Sequence, residues 1–282
     1  MSRTAAGVVT TRALVTAGAG LAAARLFTRA SRRLPADVRR PWERHNHAGA
    51  AVTLLEGPVS VGAATLAVAI GSPSPSSLIV VVAPGLLGGL DDLTGDTGTK
   101  GLRGHLGALR SGRVTTGALK VVGLGATAAC VALLEGTSPS SHGPGAGRLR
   151  RAVVDTVVIA GTANLVNLLD LRPGRALKVT TAAGTLLLAP PVARPLAAGL
   201  VGVGGGVLPE DLAGESMLGD CGANALGGLL GLALVRGLAP GGRLGAAALV
   251  TGLTLLSERV SFTRVIESTP VLREIDAWGR RR

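Results

Sequence analysis

The chain has 282 residues, 47% of them hydrophobic and only 16% charged, with 43 glycines and a mean hydropathy of +0.45. That is too apolar for an ordinary soluble domain of this length, and it indicates several membrane spans between which small residues let helices approach closely. The net charge of +12 would suit nucleic acid in a soluble protein, but aromatic residues are 1% of the chain, which removes the material for base stacking. No nucleic-acid partner is expected, and the tendency of membrane proteins to keep positive charge inside accounts for the excess. Cys130 and Cys221 lie in or beside apolar stretches, with no metal-ligand spacing and no argument for a disulfide.

Nine apolar runs predict an all-α fold, a polytopic integral membrane helix bundle over residues 1–257, followed by a tail over 258–282. The first run, 5–27, contains Arg12 and Arg25 and no convincing cleavage site, so it reads as a first helix rather than a signal peptide. The next are 51–70, 78–90 and 116–134, then 152–169, 177–190, 195–208, 222–235 and 244–257. Several are shorter than the ~20 residues a straight span needs, which puts the count at about nine, with one either way. Pro190, Pro191 and Pro195 separate the sixth and seventh runs, as in a broken helix or a re-entrant hairpin.

The connecting segments divide by charge. Segments 28–50, 91–120, 170–178, 209–221 and the tail carry 20 Lys and Arg; the N-terminus, 71–77, 135–151, 191–194 and 236–243 carry 7. This asymmetry predicts an external N-terminus and a cytoplasmic C-terminus. The connectors SPSPSS and GTSPSSHGPGAG fit the outer side, being flexible and weakly charged. Trp42 and Trp278 are placed as anchors at headgroup level. The tail carries Val265, Ile266, Val271, Leu272 and Ile275 and is divided by Pro270. It reads as a short amphipathic element on the inner membrane face, with its last arginines near anionic lipid heads.

The stretch from Pro84 to Lys120 concentrates the chemistry. It runs from apolar residues and glycines into the adjacent carboxylates Asp91 and Asp92, then Asp96, and continues with Lys100, Arg103, Arg110, Arg113 and Lys120. Adjacent carboxylates at the end of an apolar run repel each other and lose solvation, which a hard cation such as Mg²⁺ offsets; the cations that follow suit phosphate oxygens. A solvated loop with mixed charge is the plain alternative. Three further polar clusters fall on the same side of the predicted topology. Asn164, Asn167 and Asp170 recur at a spacing of three, along one side of a helix. Asp220 opens the eighth run, either as a cap or as a metal ligand facing the cytoplasm. The third cluster is Trp42, Arg44, His45, Asn46 and His47.

The segments GLLGGLDDLTGDTGTKG, NLVNLLD and MLGDCGANALGG, in this order over roughly residues 80–235, resemble the motifs of the polyprenyl-phosphate N-acetylhexosamine-1-phosphate transferases. The resemblance implies Mg²⁺-dependent transfer of a sugar phosphate from a UDP-sugar to a polyprenyl phosphate, in a bacterial plasma membrane and in cell-envelope glycan biosynthesis. It makes Asp91, Asp92 and Asp170 the catalytic carboxylates, and Asp220 with Asp92 the metal ligands. Lys100, Lys120, Asn164 and Asn167 would bind substrate.

The resemblance stops at two places. The family continues Asp170 with a second acid in an Asp-Gly-x-Asp-Gly pattern, whereas this chain continues Leu171-Arg172-Pro173-Gly174-Arg175. The family's later histidine motif has no counterpart, since His45, His47 and His105 lie elsewhere. The turn at Pro173-Gly174 predicts two guanidiniums, Arg172 and Arg175, bound to a phosphate where the family has a carboxylate. The alternative is that both simply obey the positive-inside rule and meet lipid heads. The departures keep a second function in view: a catalytically inactive relative that binds a lipid-linked precursor or organises other envelope proteins.

Overall fold

The computed structural model describes residues 3–45, 49–94, 116–136 and 145–280. It is built of helices. The long ones in chain order are α1 (Arg3–Ser31), α3 (Glu56–Gly71), α4 (Pro75–Thr94), α5 (Thr116–Gly136) and α6 (Gly145–Leu169). They continue with α7 (Arg175–Leu186), α8 (Arg194–Leu212), α9 (Gly219–Gly237) and α10 (Pro240–Ser257). A short α2 (Ala36–Arg39) precedes α3, and the tail forms α11 (Phe262–Ser268) and α12 (Pro270–Ala277). Four helices among the described residues are long and apolar enough to cross a membrane: Gly7–Ser31 within α1, α4, α5, and Ala146–Leu169 within α6. The protein is therefore a membrane helix bundle.

The bundle is organised on α9. Fifteen of its 19 residues are buried, so it is surrounded by protein on nearly every side. It packs against α6, α4, α3 and α8, while α1 closes the outside against α8 and α3. The sequence of α9 explains how a helix can sit so deep. It carries no charge between Cys221 and Val235, and its glycines face its neighbours. A Cβ on Gly227 would lie 2.7 Å from Ala163 Cα, one on Gly231 2.7 Å from Ile159 Cα, and one on Gly228 2.8 Å from the Val80 carbonyl oxygen. Gly227 and Gly231, four residues apart, form the small-residue seam that lets α9 touch the backbone of α6. Gly227→Val is expected to destabilise the bundle by about 1–3 kcal/mol or more, the usual cost of forcing atoms into a packed interior. Thermal unfolding in detergent checks this, with Gly245→Val as the control because nothing lies within 4 Å of a Cβ there.

The structure departs from the sequence-based expectation in two places and adds contacts in a third. The fold is not purely helical: β1 (Glu43–His45) and β2 (Ala51–Thr53) form a small antiparallel ribbon, so residues 51–53 belong to a strand and α3 starts only at Glu56. The ribbon is extended by Thr53, whose N–H donates to Glu215 at 3.2 Å and whose carbonyl accepts from Met217 N–H at 3.1 Å. Segments 43–45, 51–53 and 213–218 are thus held together. The sixth run is also short, with α7 ending at Leu186 and a turn leading to α8. Finally, the tail is docked on the protein by polar groups. Val271, Leu272, Ile275 and Trp278 are exposed, while Asp276 is buried against the bundle.

Candidate functional site

The end of α4 and the start of α9 meet because glycines remove the side chains between them. A Cβ on Gly88 would lie 2.1 Å from the Asp220 carbonyl oxygen, and one on Gly57 2.5 Å from that of Leu218. Gly219 turns the chain into α9 with φ +60, a left-handed conformation that glycine adopts without strain. The same residue leaves room for the Asp92 carboxylate, which would lie 2.8 Å from a Cβ at this position.

This junction places four acids together. Asp92 accepts the backbone N–H of Asp220 at 3.0 Å on one oxygen and that of Cys221 at 2.8 Å on the other. Asp170, in the turn after α6, accepts the N–H of Gly219 at 2.8 Å. Three successive N–H groups at the start of α9, which a helix cannot satisfy internally, are therefore met by two carboxylates from other elements. The Asp220 side chain points to Lys120 of α5, whose ammonium also lies 2.9 Å from Asp91. Arg44 of the ribbon reaches the same corner and donates to the Asp92 carbonyl. Burial, followed by the nearby Asp211 charge, raises the Asp170 pKa well above the usual carboxylate range, partly offset by the Gly219 N–H.

The geometry separates roles that the motif left merged. Asp92 was expected to be both catalytic and a metal ligand. Both of its oxygens are committed to backbone N–H groups, so its role in this structure is to hold the start of α9. Asp92→Ala is expected to cost about 1–3 kcal/mol, because buried donors lose their acceptor; Asp92→Asn, which keeps one acceptor oxygen, should cost less. Detergent thermal melts of the two variants check this.

Asp91 and Asp220 are the pair that fits a hard cation. They already hold one, the Lys120 ammonium, and both remain partly open, at 15% and 24% side-chain exposure. Among the described residues no three His, Cys, Asp or Glu side chains form a metal cage by themselves.

The remaining expected residues divide. Asn167 lies half-buried one turn before Asp170, and its carbonyl accepts the Asp170 N–H at 3.2 Å. Asn164 does not join the site: its amide donates to Thr254 of α10 at 3.4 Å, an interhelical hydrogen bond. Arg175 is also corrected. Its guanidinium is 4% exposed, grips both oxygens of Asp276 at 2.7 and 2.9 Å and donates to Thr263 at 3.0 Å, which leaves no open face for a phosphate. Arg172 is likewise turned to the tail, 2.6 Å from Glu267. The two arginines following Asp170 fasten the C-terminal helices instead. Trp42 is half-buried beside the Gly89 position of α4, whereas Trp278 is exposed, as an interfacial anchor requires. Lys100, Asp96, Arg103, Arg110, Arg113, Asn46, His47 and His105 lie outside the described residues.

Two acids escaped the sequence reading. Asp211 of α8 is 1% exposed; one oxygen accepts the Gly174 N–H at 3.1 Å and the other is buried with no hydrogen-bond partner among the described residues. Glu56 at the start of α3 is also buried and accepts a hydrogen bond from Ser216. A signal existed for Asp211. The segment 208–220, LPEDLAGESMLGD, holds four acids and no base, which stands out in a chain of this net charge. Counting only Lys and Arg to assign topology passed over it.

No protein-family profile matches the chain, and no curated protein sequence matches it.

Proposed function

We propose that the protein is a divergent polyprenyl-phosphate N-acetylhexosamine-1-phosphate transferase, with about nine membrane spans, an external N-terminus and a cytoplasmic tail. On this reading it transfers a sugar phosphate from a UDP-sugar to a polyprenyl phosphate at the cytoplasmic face of a bacterial plasma membrane. The observation that carries the proposal is the convergence of Asp91, Asp92, Asp170 and Asp220 on one corner of the bundle around Lys120. The acids come from three segments far apart in sequence, around 91–92, 170 and 220, each carrying part of the motif set. A structural salt bridge needs one acid and one base; Asp91 and Asp220 share the single charge of Lys120, which leaves negative charge to be neutralised.

Asp91 and Asp220 would hold Mg²⁺, which would supply charge neutralisation on the donor diphosphate as UMP leaves. Lys120, released from its two carboxylates, would hold a phosphate oxygen. Asp91, whose carboxylate is not held by backbone N–H groups, would also orient the acceptor phosphate. Asp92 and Asp170 keep the start of α9, and with it Asp220, in register. The test is purified protein with Mg²⁺, undecaprenyl phosphate and a panel of UDP-sugars, read as UMP release. Release with at least one sugar, lost on chelation, supports the proposal; no release with any sugar overturns it.

One observation favours a second, non-catalytic reading. The turn after Asp170, where the family has a second acid, is occupied by arginines fastened to the tail. A protein that binds the polyprenyl phosphate or a lipid-linked sugar without turnover would retain the acid corner and tolerate that turn. Binding of undecaprenyl phosphate with no UMP release from any donor would identify it.

A further inference from the structure

The end of the bundle remote from the carboxylates carries an unexpected concentration of positive charge. Helix α6 has 25 residues and so runs about 37 Å from Gly145 to the acid corner. At its start, together with the start of α10, lies an open cavity of about 680 Å³ lined by Arg148, Arg150, Arg151 and Arg243. One acid, Asp155, lines it too, and that acid is taken: Arg243 holds it at 3.1 Å. The neighbouring acid Glu135 is also satisfied, 2.7 Å from Arg236. Arg148, Arg150 and Arg151 make no ion pair among the described residues.

Three guanidiniums lining one cavity, with no acid among the described residues left to pair them, favour an anion there. Their position indicates which anion. They lie in the first turns of a helix long and apolar enough to cross a membrane, which is headgroup level. The cavity walls below them are apolar, with Val154 on α6 and Leu244 on α10, and Val153, Leu244 and Leu249 are exposed on the same two helices. A free phosphate would use the rim and leave the walls empty. An amphiphile with a phosphate head matches both. The volume also falls in the range of about 300–1,000 Å³ typical of ligand pockets.

We propose that this cavity binds the phosphate head group of an anionic membrane lipid, with Arg148, Arg150 and Arg151 on the phosphate and the acyl chains against α6 and α10. Guanidinium groups hold phosphate through paired N–H donors and stay charged at any relevant pH. The site lies at the opposite end of the bundle from the acid corner and does not depend on the transferase reading.

The experiment is a titration of the purified full-length protein, in neutral detergent, with dioleoyl phosphatidylglycerol, dioleoyl phosphatidylcholine or inorganic phosphate, read by native mass spectrometry and by thermal shift. The parent protein should retain phosphatidylglycerol in preference to phosphatidylcholine and show no comparable retention of inorganic phosphate. The combined variant Arg148→Gln, Arg150→Gln, Arg151→Gln should bind phosphatidylglycerol at least tenfold more weakly. Its lipid-free melting should be unchanged, since all three side chains are exposed. The variant Arg29→Gln, Arg33→Gln, Arg40→Gln, which removes the same charge at the other end, should bind as the parent does. Equal retention of the two lipids, equal weakening in both triple variants, or binding of inorganic phosphate alone overturns the proposal.

Discussion

Arg175→Ala is expected to release the C-terminal helices from the bundle. The Arg175–Asp276 pair is the most buried ion pair holding the tail, with side-chain exposures of 4% and 9%. Removing one partner of a buried pair typically costs about 3–5 kcal/mol when the other charge is left uncompensated, and the loss here falls below that because Asp276 keeps a second cation. The variant leaves Asp276 with Arg280 at 2.8 Å, and Lys178 bound to the carbonyls of Ile275, Asp276 and Trp278, so the loss falls on the tail rather than the whole bundle. Limited proteolysis should cut the variant between Val260 and Arg280 under conditions that leave the parent intact. Arg175→Lys should behave almost as badly, since an ammonium cannot reproduce the two-pronged grip. Equal protection of parent and alanine variant would mean that the tail is held by other contacts. The same pair predicts an acid response. Burial alone would raise the Asp276 pKa, but hydrogen bonds from Arg175 and Arg280 outweigh it and hold the carboxyl below its ordinary range. A depressed carboxyl pKa stabilises docking above the unfolded value, and that contribution is lost as pH falls through the folded value. Proteolytic opening of the tail should therefore increase as the pH drops below about 4, the ordinary aspartate value, and not on the alkaline side.

If the protein is the transferase proposed above, Asp220→Asn is expected to remove Mg²⁺-dependent UMP release while leaving the fold in place. Losing even a supporting group of a metal site typically costs about 10–100-fold, and loss of a direct ligand should cost at least the upper figure. The substitution keeps the shape and the backbone N–H groups that Asp92 and Asp170 hold, so melting should change little. It also frees Lys120 from one of its two carboxylates. A variant that releases UMP as the parent does would remove Asp220 from the metal site. The contrast with Asp92 makes the test informative: Asp92→Ala should lose stability, Asp220→Asn activity, although the two residues lie side by side.

Parts of this arrangement were legible in the chain. Hydropathy and glycine content identified a membrane helix bundle, because apolar length and small-residue packing are composition-level properties. All nine apolar runs fall largely within helices, while four helices meet the length and hydropathy of a span on their own. The four acids could be named because carboxylates bordering apolar runs are costly wherever they occur. The ribbon at 43–53 was not legible. Its three-residue strands are too short to show alternation, and they persist through pairing with each other and with Thr53's partners near Ser216.

The fate of individual polar groups lay further from the sequence. Arg172 and Arg175 next to Asp170 read naturally as phosphate ligands, since nothing local shows that carboxylates about 95–100 residues later fold back onto them. By spacing Asn164 reads as one helix face with Asp170, but Asp170 lies in the turn beyond the helix and the partner that claims Asn164, Thr254, comes from α10. Asp92 is adjacent to Asp91 in the chain, and only the approach of α9 turns one into a helix cap and leaves the other with Lys120. By itself the sequence determined where apolar segments lie, which acids border them and how charge divides between the connectors, because each is a property of neighbouring residues and of transfer from water to lipid. The tertiary structure alone decided which hydrogen bonds and ion pairs those charged groups make. Those partners come from segments brought together by glycine-mediated helix packing, and a bond between residues 100 apart has no signature in the spacing of either.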